Sequence, residues 1–182
     1  IQFCIDEAKS SGVSYFCTKL NEVLNATGAV RSVIVRTVAD LDLVVARSCS
    51  CRAESQLILH LHGIWKRPQH LAAKWAKEHN VPIVWSTHGM TSPWAIRNKW
   101  WKKFPAWWLY QKRDLKGAAL LHVTSEQEAK WNRQAGLKNP QIIAPLGTQL
   151  PTSAPSNHQT IKPSNHFTVL FVGRIHPVKG LM

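Results

Sequence analysis

Two short apolar runs flanking one amphipathic stretch restrict this chain more than any other feature. Gln56–Gly63 (Gln-Leu-Ile-Leu-His-Leu-His-Gly) reads as a buried strand ending in histidine and glycine. Pro68–Asn80 reads as a helix, with Leu71, Ala72, Trp75 and Ala76 on one side. Val81-Pro82 then leads into a second strand, Ile83–Trp85. Two strands joined by a helix-length crossover pair in parallel, and a parallel sheet needs helices on its faces.

The same alternation extends in both directions. Ile1–Ile5 reads as a first strand, and Ser10-Ser11-Gly12 closes a polar loop as a helix-start signal. Val13, Phe16, Leu20 and Leu24 then recur at helical spacing until Gly28 ends the helix. Val30–Val35 reads as a second strand, Leu43–Ala46 as a weaker third, and Ser48–Ser55 as a loop. Past Trp85, Ser92–Lys116 is expected to form one or two helices, broken at Pro105. Ala118–Val123 is a strand, and Ser125 with Glu128 forms a capping box for a helix that ends at Gly136. Gln141–Ala144 is the last strand of this unit. The expected architecture over residues 1–148 is α/β, a Rossmann-like parallel sheet with helices on both faces. Residues 149–166, rich in Pro, Ser, Asn and Thr, read as a linker, and 167–182 as the start of a second Rossmann-like domain. The chain opens on Ile1 and closes just after a strand–loop unit, so both ends are expected to be cut.

Charge narrows the partners. Lys plus Arg is 23 against 10 for Asp plus Glu, a net +13, which calls for nucleic acid, an acidic membrane surface or a phosphate-bearing substrate. No apolar run reaches the roughly 18 residues of a membrane span. Ile1–Ile5 meets Asp6 and Glu7 at once, unlike a signal peptide. Cys4, Cys17, Cys49 and Cys51 make no disulfide framework, and Cys49-Ser50-Cys51 lacks the spacing of a zinc site. Reduced thiols in a cytoplasmic setting, with no metal, are therefore expected.

Basic residues are densest between Trp94 and Lys116. Arg97, Lys99, Lys102, Lys103, Lys112, Arg113 and Lys116 are interleaved there with Trp94, Trp100, Trp101, Phe104, Trp107, Trp108 and Tyr110. One reading is a helix pair whose tryptophans fill the core. The other is a peripheral helix at the headgroup level of an anionic membrane, with Trp100, Trp101, Lys102, Lys103, Trp107 and Trp108 as docking residues. Neighbouring indoles such as Trp100-Trp101 are hard to bury on one helix face.

The site candidate is Val84–Met90, an apolar strand running into a small-residue loop that presents His88 beside Gly89. In open α/β sheets, ligands bind in the crevice beyond the carboxyl ends of the strands. His62 and Gly63 end the neighbouring strand and are expected to line the same crevice.

Four segments resemble group-1 glycosyltransferases, retaining enzymes of the two-domain GT-B fold. They are His60–Trp65, Ser86–Met90 with Pro93-Trp94-Ala95, Thr124-Ser125-Glu126, and Leu170–Leu181 (Leu-Phe-Val-Gly-Arg-Ile-His-Pro-Val-Lys-Gly-Leu). The resemblance covers residues 56–182 well and the first 55 loosely. It implies that 1–148 is the acceptor domain and that Arg174 and Lys179, framed by Gly173, bind the diphosphate of a nucleotide-sugar donor. Two cations there stabilise the leaving group's charge without a metal or other cofactor. It also implies that His88 contacts a hydroxyl of the donor sugar, with Gly89 leaving room for the approach. Gly12 stands where the family carries a glycine pair, and only one glycine is present. His176 reads as loop filler, and Glu126 and Glu128 as helix-capping residues.

The implied reaction transfers a sugar with retention to a glycan acceptor, lipid-linked, in cell-surface polysaccharide or lipopolysaccharide biosynthesis. Its expected place is the inner face of the cytoplasmic membrane. The family's acidic donor motif would lie past Met182, so these 182 residues alone are expected not to transfer sugar. Two other classes compete. A basic nucleic-acid-binding module is one, against which the charge is spread along the chain and no nucleic-acid motif occurs. A non-catalytic relic of the family is the other.

Overall fold

The structure, a computed structural model, describes residues 1–3, 12–48 and 57–147. Six strands, β1 (Gln2–Phe3), β2 (Ile34–Val35), β3 (Leu59–His62), β4 (Ile83–Ser86), β5 (Leu120–Val123) and β6 (Gln141–Ile143), form one sheet in the order β2-β1-β3-β4-β5-β6. Every adjacent pair is parallel. The helices are α1 (Gly12–Ala26), α2 (Val38–Ser48), α3 (Arg67–Glu78), α4 (Pro93–Arg97), α5 (Trp100–Ala106), α6 (Lys112–Lys116) and α7 (Glu126–Gln134). A π-helical segment, Trp107–Gln111, joins α5 to α6.

Side-chain alternation along the strands assigns the layers. In β3, Leu59 and Leu61 point to one face while His60 and His62 point to the other. Leu59, Leu61, Trp85 and Leu121 pack with Leu41 of α2, Ala72, Ala73, Trp75 and Ala76 of α3, and Leu115 of α6 in a single core. Each such aliphatic side chain contributes about 1.5–3 kcal/mol by leaving water. On the opposite face α1 lays Phe16 against the histidines of β3 and β5. The chain leaves β1 for β2 in one direction and returns past it to β3, so the switch point lies between β1 and β3.

Three local expectations are corrected. Leu43–Ala46 is the middle of α2, not a strand. Thr37 donates through N and Oγ1 to Asp40 Oδ2 (3.2 and 2.7 Å), and Asp40 N donates back to Thr37 Oγ1 (3.2 Å), which starts the helix. Val38, Leu41, Val44 and Val45 then fall on one helical stripe against the core, and this burial overrides the β-propensity of the valines. Leu71 of α3 faces outward at 40% exposure, while Gln69 and Ala73 turn in. The stripe of α3 is thus rotated from the one its apolar residues indicate.

The third correction concerns Pro105, which lies inside α5 and breaks nothing. Its ring removes one i→i−4 bond and crowds the carbonyl of Trp101. The winding widens to π directly after it. The break instead falls at Lys99, whose φ of 55° is left-handed, between α4 and α5.

Candidate functional site

The carboxyl ends of β3 and β4 carry two loops that hold each other. After β3, Gly63 takes a φ of 76° and donates its N–H to Ser86 O (2.9 Å), while Trp85 Nε1 donates to Gly63 O (2.8 Å). After β4, Thr87–Met90 closes a tight turn, Met90 N to Thr87 O at 3.0 Å. Both central residues have positive φ, His88 at 49° and Gly89 at 69°. Glycine accepts that region at no steric cost and histidine does not. Trp65 Nε1 reaches across to Met90 O (3.3 Å), and Ile64 N to Met90 Sδ (3.4 Å).

Register brings three imidazoles together, and the turn after β4 adds a fourth, His88. His62 pairs with Ser86 across β3–β4, and Ser86 with His122 across β4–β5, so these side chains share one face with His60. His122 Nε2 donates to Ala144 O (3.0 Å), which leaves Nδ1 to accept from the Ser86 hydroxyl (2.7 Å). Ser86 Oγ in turn accepts from His60 Nε2 (2.7 Å). His62 and His88 form a separate pair, Nδ1 to Nε2 at 3.2 Å, with their rings stacked at 5.5 Å. Phe16 stands edge-on to both, at 5.7 and 5.6 Å. The other ring nitrogen of His62 is buried without a hydrogen-bond partner among the described residues.

Burial sets the charge of this cluster. Desolvation, helped by the neighbouring imidazoles, lowers His60 to about 3 and drives His62 well below its ordinary value. His88 is lowered to about 4, again mainly by burial, with the Glu128 carboxylate pulling the other way and His122 adding to the fall. These three rings are neutral at pH 7. His88 therefore offers a hydroxyl-bearing ligand one neutral donor or acceptor, not a cation.

Glu128 holds the His88 turn in place. It is 2% exposed, and its carboxylate accepts four hydrogen bonds. Oε1 takes Thr87 Oγ1 and Gly89 N, both at 2.6 Å. Oε2 takes Thr124 N (2.8 Å) and Thr124 Oγ1 (2.9 Å). Burial works to raise its pKa, but these donors outweigh it and hold the carboxylate below its usual range. One turn along α7, Asn132 Oδ1 accepts from Thr91 Oγ1 (2.7 Å) and its amide donates to Thr87 Oγ1 (3.4 Å).

The structure thus brings His88, Gly89, His62 and Gly63 together at adjacent strand ends. Gly12 is the exposed first residue of α1, and an added Cβ there would meet nothing within 4 Å. Gly173, Arg174 and Lys179, like the linker 149–166 and the segment 167–182, lie outside the described residues. Among the docking residues, Trp100, Trp101, Lys102 and Trp108 are exposed, whereas Lys103 and Trp107 are half-buried on the inner side of their helix.

Sequence reasoning missed His60, Ser86 and His122 as parts of one cluster, and it gave Glu128 only a cap. The cap exists, Ser125 Oγ accepting from Glu128 N at 3.2 Å. The larger role links residues 39 and 41 positions apart, which no local pattern contains. The available signal was alternation, since Leu-His-Leu-His places both imidazoles of β3 on one face.

Among the described residues no three His, Cys, Asp or Glu side chains are placed to hold a metal ion, and no helix is long and apolar enough to cross a membrane. In comparison with known proteins, residues 19–147 match a glycosyl transferase 4-like domain. That stretch contains the imidazole cluster, Glu128 and the whole of Trp94–Lys116, and it starts inside α1, after Phe16. No curated protein and no solved structure matches the chain.

Proposed function

The chain belongs to the glycosyl transferase 4-like domain family, a family of transferases acting between a sugar donor and an acceptor, and on that footing we propose the finer assignment. The donor is a nucleotide-diphosphate sugar, and transfer proceeds with retention to a lipid-linked glycan in cell-surface polysaccharide or lipopolysaccharide biosynthesis. The protein works peripherally at the inner face of the cytoplasmic membrane. His88 contacts a hydroxyl of the donor sugar, with His62, Gly63 and Gly89 around it and Gly12 at the start of α1. Gly173, Arg174 and Lys179 take the diphosphate, where two cations offset the charge that grows on the leaving group and no metal is needed.

The observation that carries this reading is the neutral His88, tethered through its turn to a buried carboxylate at the carboxyl edge of a parallel sheet. A neutral imidazole can donate to or accept from a sugar hydroxyl, and a ring fixed on both sides of its backbone does so without reorganising. Phe16 and the His62 ring exclude water from one side of it.

The test follows the imidazole resonances of the histidine-labelled chain during titration with nucleotide-diphosphate sugars. His88 and His62 should shift with the sugar nucleotide and shift less with the free nucleotide diphosphate. Rings indifferent to every sugar nucleotide would overturn the assignment of His88.

A further inference from the structure

We infer that the outer face of α5 and the π-helical segment is a docking surface for an anionic lipid bilayer. Helical spacing divides this segment into two stripes. Lys103, Trp107, Gln111 and Leu115 recur every four residues and turn inward, with Gln111 and Leu115 fully buried. Gln111 Oε1 accepts from Trp65 N (2.9 Å), the Trp107 ring lies 5.7 Å from that of Trp65, and the Lys103 ammonium sits over Trp65 and donates to Ala95 O. Further along, His70 Nδ1 meets Asp114 Oδ2 at 2.6 Å and pins α6 to α3. The segment is thus anchored through one face.

The neighbouring stripe is left open among the described residues. Trp100, Trp101, Phe104 and Trp108 are 59–64% exposed, and Leu109 beside them is 73% exposed. Phe104 and Trp108 stand edge to face at 6.3 Å, and with Trp100 they line one side of an apolar groove against Trp65, Trp107, Gln134 and Ala135, while Trp101 stands outside it. Contiguous apolar surface of this kind marks an interaction site in a folded domain. Cations border it: Lys99 and Lys102 at one end, and at the other Lys112, whose ammonium lies 4.9 Å over the Trp108 ring. There is no acidic residue from Gly89 to Arg113.

Indole rings beside solvated ammonium groups match the bilayer interface, where the rings sit at headgroup depth and the cations meet lipid phosphates. An acidic protein partner would match the cations but not three indoles each more than half exposed. The inference deepens the membrane-bound acceptor proposed above and rests on it for its purpose, while its test needs no transfer activity.

The full chain is mixed with phosphatidylcholine vesicles, with vesicles that also contain phosphatidylglycerol, and with a random oligonucleotide. It should sediment with the anionic vesicles only, release on raising salt, and have its tryptophan emission quenched by brominated acyl chains. The triple variant Trp100→Ser, Trp101→Ser, Trp108→Ser should keep its circular dichroism and bind roughly tenfold or more weakly. Lys99→Glu with Lys102→Glu, which spares every indole, should bind roughly thirtyfold more weakly. Equal binding to neutral vesicles, undiminished binding by either variant, or tighter binding to the oligonucleotide than to anionic vesicles would overturn the inference. The imidazole titration is read separately, so the docking surface and the transferase assignment fail independently.

Discussion

Trp85 and Trp108 are the same side chain in opposite settings. Trp85 is fully buried in β4, with its indole N–H on Gly63 O. Trp108 is 64% exposed, with Phe104 and the Lys112 ammonium against it. The contrast extends to their surroundings. Around the strand ends, polar groups are buried and satisfy one another, as in the Ser86–His122–His60 chain and the four donors on Glu128. Along α5, one face anchors the segment and the other carries its aromatics and lysines to the surface. A group locked in the first region cannot change without disturbing the fold, whereas the outer stripe of the second can change almost freely. An exposed stripe that contributes little to stability is explained by what it meets outside the chain.

Acid should expose the difference most strongly. His60 and His88, lowered to about 3 and about 4, and His62, lowered well below its ordinary value, titrate near 6.5 once unfolded. Between those values the unfolded chain binds more protons than the native one, so stability is full above about pH 6.5 and falls as the pH drops towards 4. The slope approaches about 1.4 kcal/mol per pH unit for each ring. Urea titrations from pH 8 to pH 4 should show this loss, and a flat profile would mean that the rings are not desolvated. Vesicle binding, resting on lysines, should not follow that curve.

Trp85→Ala should cost about 3–5 kcal/mol in chemical denaturation, from lost burial, the cavity and an unpaired Gly63 carbonyl. Glu128→Gln should cost about 2 kcal/mol, because the new amide N–H₂ faces donors and not acceptors. It should also lower the His88 pKa further, since the carboxylate charge that supports the imidazolium is gone; an unchanged His88 titration would refute the link. Gly89→Ala should cost about 1 kcal/mol through its φ of 69° alone, because the added methyl meets nothing within 4 Å. Trp100→Ala should move stability by less than about 0.5 kcal/mol. A loss near that of Trp85→Ala would mean the two settings are not different after all.

What the sequence determined by itself was whatever depends on near neighbours. The parallel α/β order follows from apolar runs spaced by amphipathic stretches, and the strand-end position of His88 follows from Val84–Trp85 meeting a Gly-containing turn. The capping pair Ser125–Glu128 and the mixture of indoles and lysines in Trp94–Lys116 were equally visible. Tertiary structure decided the rest, because each case turns on a partner far along the chain. Val38–Ser48 becomes a helix since its stripe meets α3, with Trp75 Nε1 on Asp42 Oδ1 at 2.7 Å. His62, Ser86 and His122 become neighbours only through strand register. Glu128 becomes the anchor of the His88 turn across 39 residues. Which aromatics of the basic segment face water was set by the inward pull of Trp107, Gln111 and Leu115. Periodicity divides a helix into faces, and only the packed core selects which of them is covered.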